Sequence, residues 1–260
     1  PAGAFWELPS PLAGPPVVID IGYEKRVVFS ARDGSVVCFG QEVLEDGWVP
    51  IWETSAISDT ISAMPIVGYD AENSPYMLFC GNSGVLHQIP GDANDASEIS
   101  ISTLNLSDVV GFEISDWISD PLVVRMSDNN YDSFVVFTSE FWFLIGFDGD
   151  SLSVNNYSDY GGFGFEEIFP SIIESNNEQL LVIISETGYS TSTVLNVDRT
   201  APTMPQSWSG NVSGQVVADP AVADLDGDGV NDIILISGNS VNAFNCNGVA
   251  LTGFPVSIPQ

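Results

Sequence analysis

Cationic side chains are nearly missing from this chain. Lysine and arginine together number 5, against 35 aspartates and glutamates, for a formal net charge of −30 at pH 7. A protein that grips a nucleic-acid backbone does so with Lys and Arg, so no nucleic-acid partner is expected. The same shortage excludes attraction to an anionic membrane surface. No apolar run reaches the length of about 18 residues that a membrane-spanning helix needs, so no membrane insertion is expected. The first residues, PAGAFWELPSP, show neither the basic region nor the apolar core of a signal peptide. Histidine occurs once, as His87, and a Ser-His-Asp triad would have to use it. It lies in the strand-like run Gly-Val-Leu-His-Gln-Ile and reads as a sheet-face residue. The Gly-x-Ser-x-Gly elbow, the dinucleotide fingerprint and the P-loop are absent. No catalytic or organic-cofactor residue is nominated. The three cysteines, Cys38, Cys80 and Cys246, are an odd number without a Cys-x-x-Cys pair. They read as small buried hydrophobes, not as a disulfide framework or a zinc site.

What the chain has in quantity is a repeat. A proline followed by a short apolar strand occurs at Pro16, Pro65, Pro121, Pro170 and Pro220, at intervals of 49, 56, 49 and 50 residues. A second apolar strand follows each time: Val27–Ser30, Tyr76–Cys80, Ser133–Thr138, Leu180–Ser185 and Asp232–Ser237. Hairpin signals rich in Gly and Asn come next, as in Arg32-Asp-Gly-Ser and Gly81-Asn-Ser-Gly. Third strands are expected at Val36–Phe39, Val85–Ile89, Trp142–Phe147, Thr193–Val197 and Val241–Asn245. A weaker fourth strand carries aromatics such as Trp48, Trp52, Trp208 and Phe254. Five such units with no long amphipathic helix predict an all-β chain, a β-propeller of about five four-stranded blades. The units run approximately 12–60, 61–115, 116–165, 166–214 and 215–260 of one domain spanning 1–260. Residues 4–11 resemble 253–260, so 1–11 reads as an extra outer strand. Two arrangements fit: five closed blades with that strand added, or a segment of a larger propeller.

The densest chemistry lies at 224–232, Asp-Leu-Asp-Gly-Asp-Gly-Val-Asn-Asp. Asp224, Asp226, Asp228 and Asp232 occupy loop positions 1, 3, 5 and 9, and the Val230 carbonyl falls at position 7. Four crowded carboxylates repel one another unless a cation neutralises them. An all-oxygen donor set points to Ca²⁺ over zinc or copper. Position 12 is Leu235 and the flanks are strand-like, so the loop is not an EF-hand. The third unit is read with Arg125, Ser127, Asn129 and Ser133 at the four aspartate positions. The loops of the first, second and fourth units, 20–26, 69–75 and 174–179, are shorter or altered. One calcium is therefore expected.

The segment Pro220–Ser237 resembles the FG-GAP/VCBS repeat, the calcium-loop blade of integrin-α-like propellers. The other units resemble degenerate blades of that kind or quinoprotein-like blades. The resemblance implies a non-enzymatic, extracellular or cell-surface module for adhesion, assembly or protein interaction, with calcium stiffening a blade turn. Self-association through strand edges would fit such a module. The acidic surface suits cation-rich surroundings outside a cell. The alternative is a carbohydrate-binding or carbohydrate-active propeller. For it stand Phe141-Trp142-Phe143 and the crowd Tyr157, Tyr160, Phe163, Phe165 and Phe169, whose ring faces would stack on sugars. The last of these groups reads first as packing between sheets. Asn-x-Ser sequons stand at Asn105, Asn156 and Asn211.

Overall fold

Pleated alternation, not helical periodicity, organises this chain, and strands result. A computed structural model describes residues 7–259 apart from 23, 43–46, 56, 62, 115–116, 118, 126–130, 149–150, 160–167, 176–177, 186–188, 194–207, 213 and 217. Its strands form five four-stranded antiparallel sheets, each paired in chain order. The first holds β1 (Val17–Asp20), β2 (Lys25–Ser30), β3 (Val36–Glu42) and β4 (Gly47–Thr54). The second holds β5 (Ile66–Tyr69), β6 (Pro75–Cys80), β7 (Val85–Pro90) and β8 (Ser102–Asn105). The third holds β9 (Leu122–Arg125), β10 (Asp132–Phe137), β11 (Phe141–Asp148) and β12 (Ser151–Asp159). The fourth holds β13 (Ile168–Ser175), β14 (Glu178–Ser185), β15 (Tyr189–Thr193) and β16 (Trp208–Asn211). The fifth holds β17 (Ala221–Ala223), β18 (Asp232–Ser237), β19 (Ser240–Phe244) and β20 (Val256–Ser257). One short helix, α1 (Leu106–Val110), follows β8.

The chain divides into two compact units, 1–125 with 129–158, and 126–128 with 159–260. In the first unit, β6 shows how the sheets are held. All its residues are buried, and successive side chains point to opposite faces. Met77 and Phe79 join Ile19, Val28, Val36, Cys38 and Trp52 of the first sheet. Tyr76, Leu78 and Cys80 join Phe134, Val136, Phe143 and Ile145 of the third. Both faces of β6 are therefore covered by neighbouring sheets. The Tyr76 hydroxyl donates to the Asp132 carbonyl at 2.8 Å, so its one polar atom is satisfied. In the second unit, Phe169, Val182 and Ile184 of the fourth sheet pack with Val216, Ile233, Leu235 and Phe244 of the fifth.

One cation is invested in the first unit's interior. Arg26 on β2 is buried; its Nη1 donates to the Ala93 carbonyl at 2.6 Å and its Nη2 to Asn94 Oδ1 at 2.9 Å. Glu24 lies 3.5 Å from its Nε. This ties the first sheet to the connection after β7.

Among the described residues, a bridge repeats where the chain enters four of the five sheets. Leu12 pairs with Ala31, Ile61 with Gly81, Trp117 with Thr138 and Val216 with Ser237. Each entering residue stands four before a repeat proline. The turn between second and third strands is fixed in a similar way. Gly34 has φ +87°, and a Cβ there would lie 2.0 Å from the Ile57 carbonyl oxygen. Gly84 has φ +74°, and a Cβ there would lie 2.2 Å from that of Ile114. Both conformation and space demand glycine.

Some strands differ from expectation. In the fourth sheet the third strand is described over Tyr189–Thr193, of which the expected 193–197 includes only Thr193, and Leu181 pairs with Thr193. That strand is a Tyr/Ser/Thr run, so its β-propensity comes without the apolar signal that marks the other third strands. Residues 194–197 lie outside the described residues. In the fifth sheet the last strand is Val256–Ser257, beyond Phe254. Residues 7–11 carry no strand, and 1–6 lie outside the described residues. Cys38 and Cys80 are buried thiols on β3 and β6, and Cys246 lies just past β19. Burial pushes the Cys38 thiol up to about 12, with Arg26 opposing and Glu24 adding to the rise. Burial also raises the Cys80 thiol. Both stay protonated at neutral pH and act as packing groups.

Candidate functional site

The acidic loop spans the gap between β17 and β18, whose ladder closes at Ala223 opposite Asp232. Within it the carboxylates first organise the backbone. Asp224 accepts from the Gly227 amide at 2.7 Å and from the Gly229 amide at 3.0 Å. Asp226 accepts from the Asp228 amide at 3.2 Å, and Asp228 from the Val230 amide at 2.8 Å. Gly227 and Gly229, at φ +79° and +86°, permit the curl. Asp232 begins β18, is 1% exposed, and accepts from the Leu225 amide at 2.9 Å. The curl brings one oxygen each of Asp224, Asp226 and Asp232 within 4.8 Å of one another. Asp228 is exposed and lies outside that group. Two oxygens bound to one calcium at about 2.3–2.6 Å are at most about 5 Å apart, so the three carboxylates are spaced as one ion would need. Three negative charges this close, one of them buried, disfavour the loop unless a cation joins them.

The ladder corrects the reading of the third unit. Arg125 pairs with Asp132, the place that Ala223 holds opposite Asp232. Arg125 therefore corresponds to Ala223, the last strand residue, and not to Asp224. Asp132, not Ser133, corresponds to Asp232. Asp132 is buried, and its Oδ2 accepts from the Tyr69 amide at 3.0 Å. The loop itself, 126–130, lies outside the described residues. In the second repeat, 61–115, Asp70 does the local work: it accepts from the Glu72 and Ser74 amides at 3.0 and 2.7 Å.

His87 is buried on β7, and its Nε2 lies 3.6 Å from Asp59 Oδ2. The same carboxylate oxygen accepts from the Ser83 hydroxyl, and Asp59 Oδ1 accepts from the Thr60 amide at 2.7 Å. Burial works to raise the Asp59 carboxyl. Donation from the Ser83 hydroxyl and the Ser83 and Thr60 amides, with His87 nearby adding to the same direction, outweighs it, and Asp59 lies below the ordinary carboxylate value. A hydrolytic triad needs the serine hydroxyl on the imidazole. Here it is on the carboxylate instead, so this arrangement is a clamp between the β4–β5 connection and the β6–β7 turn. Asp59 and Ser83 carry no sequence signal beyond their place in Gly/Asn/Ser-rich turns.

The aromatic candidates separate by burial. Trp142, Phe143 and Phe169 are buried and serve packing. Tyr160, Phe163 and Phe165 lie outside the described residues. Phe141 is half-buried, while Tyr157 is 43% exposed. Phe143 stacks on Tyr157, with centroids 5.7 Å apart and planes 24° apart. Phe141 lies 6.2 Å from Tyr157 and 5.4 Å from Phe112. Phe112, 44% exposed, comes from the long connection after β8 and was not among the sequence candidates.

No protein-family model matches the sequence, and no curated protein matches it. Solved structures do. The chain is similar to Sqt1 of Saccharomyces cerevisiae, with a TM-score of 0.65, 15% identity, and coverage of 90% of this chain and 58% of Sqt1. It is similar to BBS1N, solved in complex with ARL6DN, with a TM-score of 0.52, 12% identity, and coverage of 94% of this chain and 65% of BBS1N. The chain thus spans less than two thirds of either neighbour's length. At such identity the likeness carries fold and not activity. Both neighbours are β-propellers, and the five sheets described above give this all-β chain a propeller-like fold.

Proposed function

We propose that the chain is a calcium-binding propeller module that works by protein interaction outside the cell, in adhesion or assembly. The observation that carries this reading is the convergence of Asp224, Asp226 and Asp232 to within 4.8 Å on the loop between β17 and β18. In this reading Pro220–Ser237 is an FG-GAP-type blade segment. Asp224, Asp226, Asp232, Asp228 and the Val230 carbonyl hold one Ca²⁺. All come from one short segment, so the ion stiffens the turn between two strands and leaves little room for a substrate. Protein interaction is supported by one similar propeller, BBS1N, having been solved with a partner, ARL6DN. The net charge of −30 supports a setting rich in divalent cations.

Thermal unfolding in calcium against chelator tests the metal. An ion that binds only the folded loop stabilises it, by about 2.7 kcal/mol at a free concentration near 100 times Kd. Calcium is expected to raise the midpoint of the wild type, and Asp226→Ala is expected to lose that gain. Equal midpoints in calcium and chelator for the wild type would overturn the metal assignment.

A further inference from the structure

Phe112, Phe141 and Tyr157 come from separate elements and meet at the surface of the first unit. Phe112 is held firmly. The Gly111 amide closes α1 onto the Ser107 carbonyl at 2.8 Å. Two residues on, the buried Ile114 donates its amide to Ser107 Oγ at 2.9 Å. Phe112 is thus pinned between two anchored neighbours while remaining 44% exposed. Phe141 opens β11 immediately after a fixed turn, its amide donating to Thr138 Oγ1 at 3.1 Å. Tyr157 on β12 rests on the fully buried Phe143. The rings are not coplanar: Phe112 and Phe141 are tilted by 44°, and Phe141 and Tyr157 by 54°. Tilted faces held by rigid neighbours form a shallow aromatic site whose geometry is set before any ligand arrives.

Two exposed acids adjoin two of these rings in the chain. Glu113 follows Phe112 and Glu140 precedes Phe141, and both are exposed. Ring faces carry negative electrostatic potential and attract a cation, and neighbouring carboxylates strengthen that attraction. A neutral ligand would gain hydrogen bonds from the acids but no Coulomb attraction, a cation gains both, and an anion would be repelled. The chain as a whole offers 35 acids and only 5 basic residues, so a cationic partner meets a complementary field on approach.

We propose that Phe112, Phe141 and Tyr157, with the chain-adjacent exposed acids Glu113 and Glu140, receive an arginine or lysine side chain from a basic segment of a protein partner. The proposal rests on the reading of the chain as a protein-interaction module and names the chemistry of its partner. It is independent of the calcium loop.

The test uses a fluorescently labelled peptide of alternating arginine and glycine, with a glutamine–glycine peptide as control, titrated into the calcium-loaded chain and followed by anisotropy. The arginine peptide is expected to bind the wild type and the glutamine peptide to fail. Phe112→Ala and Tyr157→Ala are each expected to weaken binding about 2- to 5-fold, as one exposed cation–ring contact would. Tyr157→Phe keeps the ring face and is expected to bind as the wild type does. The double change Glu113→Gln with Glu140→Gln is expected to weaken binding and flatten its salt dependence. An unfolding midpoint close to that of the wild type in every variant shows that the fold is intact. Equal affinity of the ring variants and the wild type would overturn the site, leaving only diffuse attraction to an acidic surface. Ring-dependent binding of cellohexaose without binding of the arginine peptide would overturn it in favour of a glycan platform. If the wild type ignores the peptide while a protein partner is still captured, this site fails and the module reading stands.

Discussion

Asp59 shows how much a single carboxylate can organise in this fold. It sits in the connection between two sheets and gathers the Ser83 hydroxyl, the Ser83 and Thr60 amides and His87. Its depressed pKa means that the charged form is favoured by folding. Stability from such a group is fully present above the unfolded value of about 3.9 and is lost as pH falls through the lower folded value. Asp59→Asn is therefore expected to lower the denaturant midpoint at neutral pH. The gap from wild type is expected to close below about pH 4, where the wild-type carboxyl also protonates. Fluorescence-monitored unfolding at both pH values measures this; a gap that stays constant with pH would assign the effect to shape, not charge. Arg26 is the opposite case, a buried cation in a chain nearly without them. Arg26→Ala would leave the Ala93 carbonyl without its donor and Glu24 without its ion-pair partner. The expected loss is about 3 kcal/mol, the range for breaking a buried charged network. A denaturation curve showing a change under about 1 kcal/mol would mean that water replaces the guanidinium at that site.

At the level of strands and turns, much was legible because burial on both faces leaves a continuous apolar signal. The second strands read as 27–30, 76–80 and 232–237 are found at Lys25–Ser30, Pro75–Cys80 and Asp232–Ser237. They lie mid-sheet, and each carries a central apolar run, 27–29, 76–80 and 233–236, that could be read directly. β15 begins four residues before the expected start, because its Ser/Thr run lacks that signal. The entering residues Leu12, Ile61, Trp117 and Val216 share a position but not a side-chain type, and one bridge apiece leaves no periodicity to read. Phe112 could not be found from spacing, since its ring reaches Phe141 only through the fold. The acidic loop was conspicuous because ligand spacing on a contiguous segment is written directly in sequence. Its third-unit counterpart was misaligned because no ladder register is visible before folding. The turn glycines give a test at this level. Gly84→Ala meets both a left-handed φ and the Ile114 carbonyl, so a loss of about 1–3 kcal/mol is expected. The equivalent Gly34→Ala, facing the Ile57 carbonyl, is expected to behave alike. A mild effect at one turn and a severe one at the other would show that the two sheets do not share this device.

For the molecule as a whole, charge dominates. A net −30 repels itself within each folded chain and between chains. The screening length shrinks from about 30 Å at 0.01 M salt to about 10 Å at 0.1 M, so the repulsion should fade over that range. The unfolding midpoint in chelator is accordingly expected to rise with sodium chloride and then level off. Assembly through strand edges faces the same field, and local chemistry modulates it. The outer strand β4 exposes Trp48 and Val49, an apolar edge that could pair with another chain. Pro50 stands in that strand opposite Phe39 and removes one ladder donor, which blunts the edge. Two oppositions, one electrostatic and one steric, thus act on the same strand, and only the first yields to salt. Self-association through β4 is expected to strengthen with salt or calcium and to increase again in Pro50→Val, which restores the donor. Sedimentation velocity across a salt series measures both. A monomer under every condition, in wild type and Pro50→Val alike, would remove edge-to-edge assembly and leave a module that meets its partners one at a time.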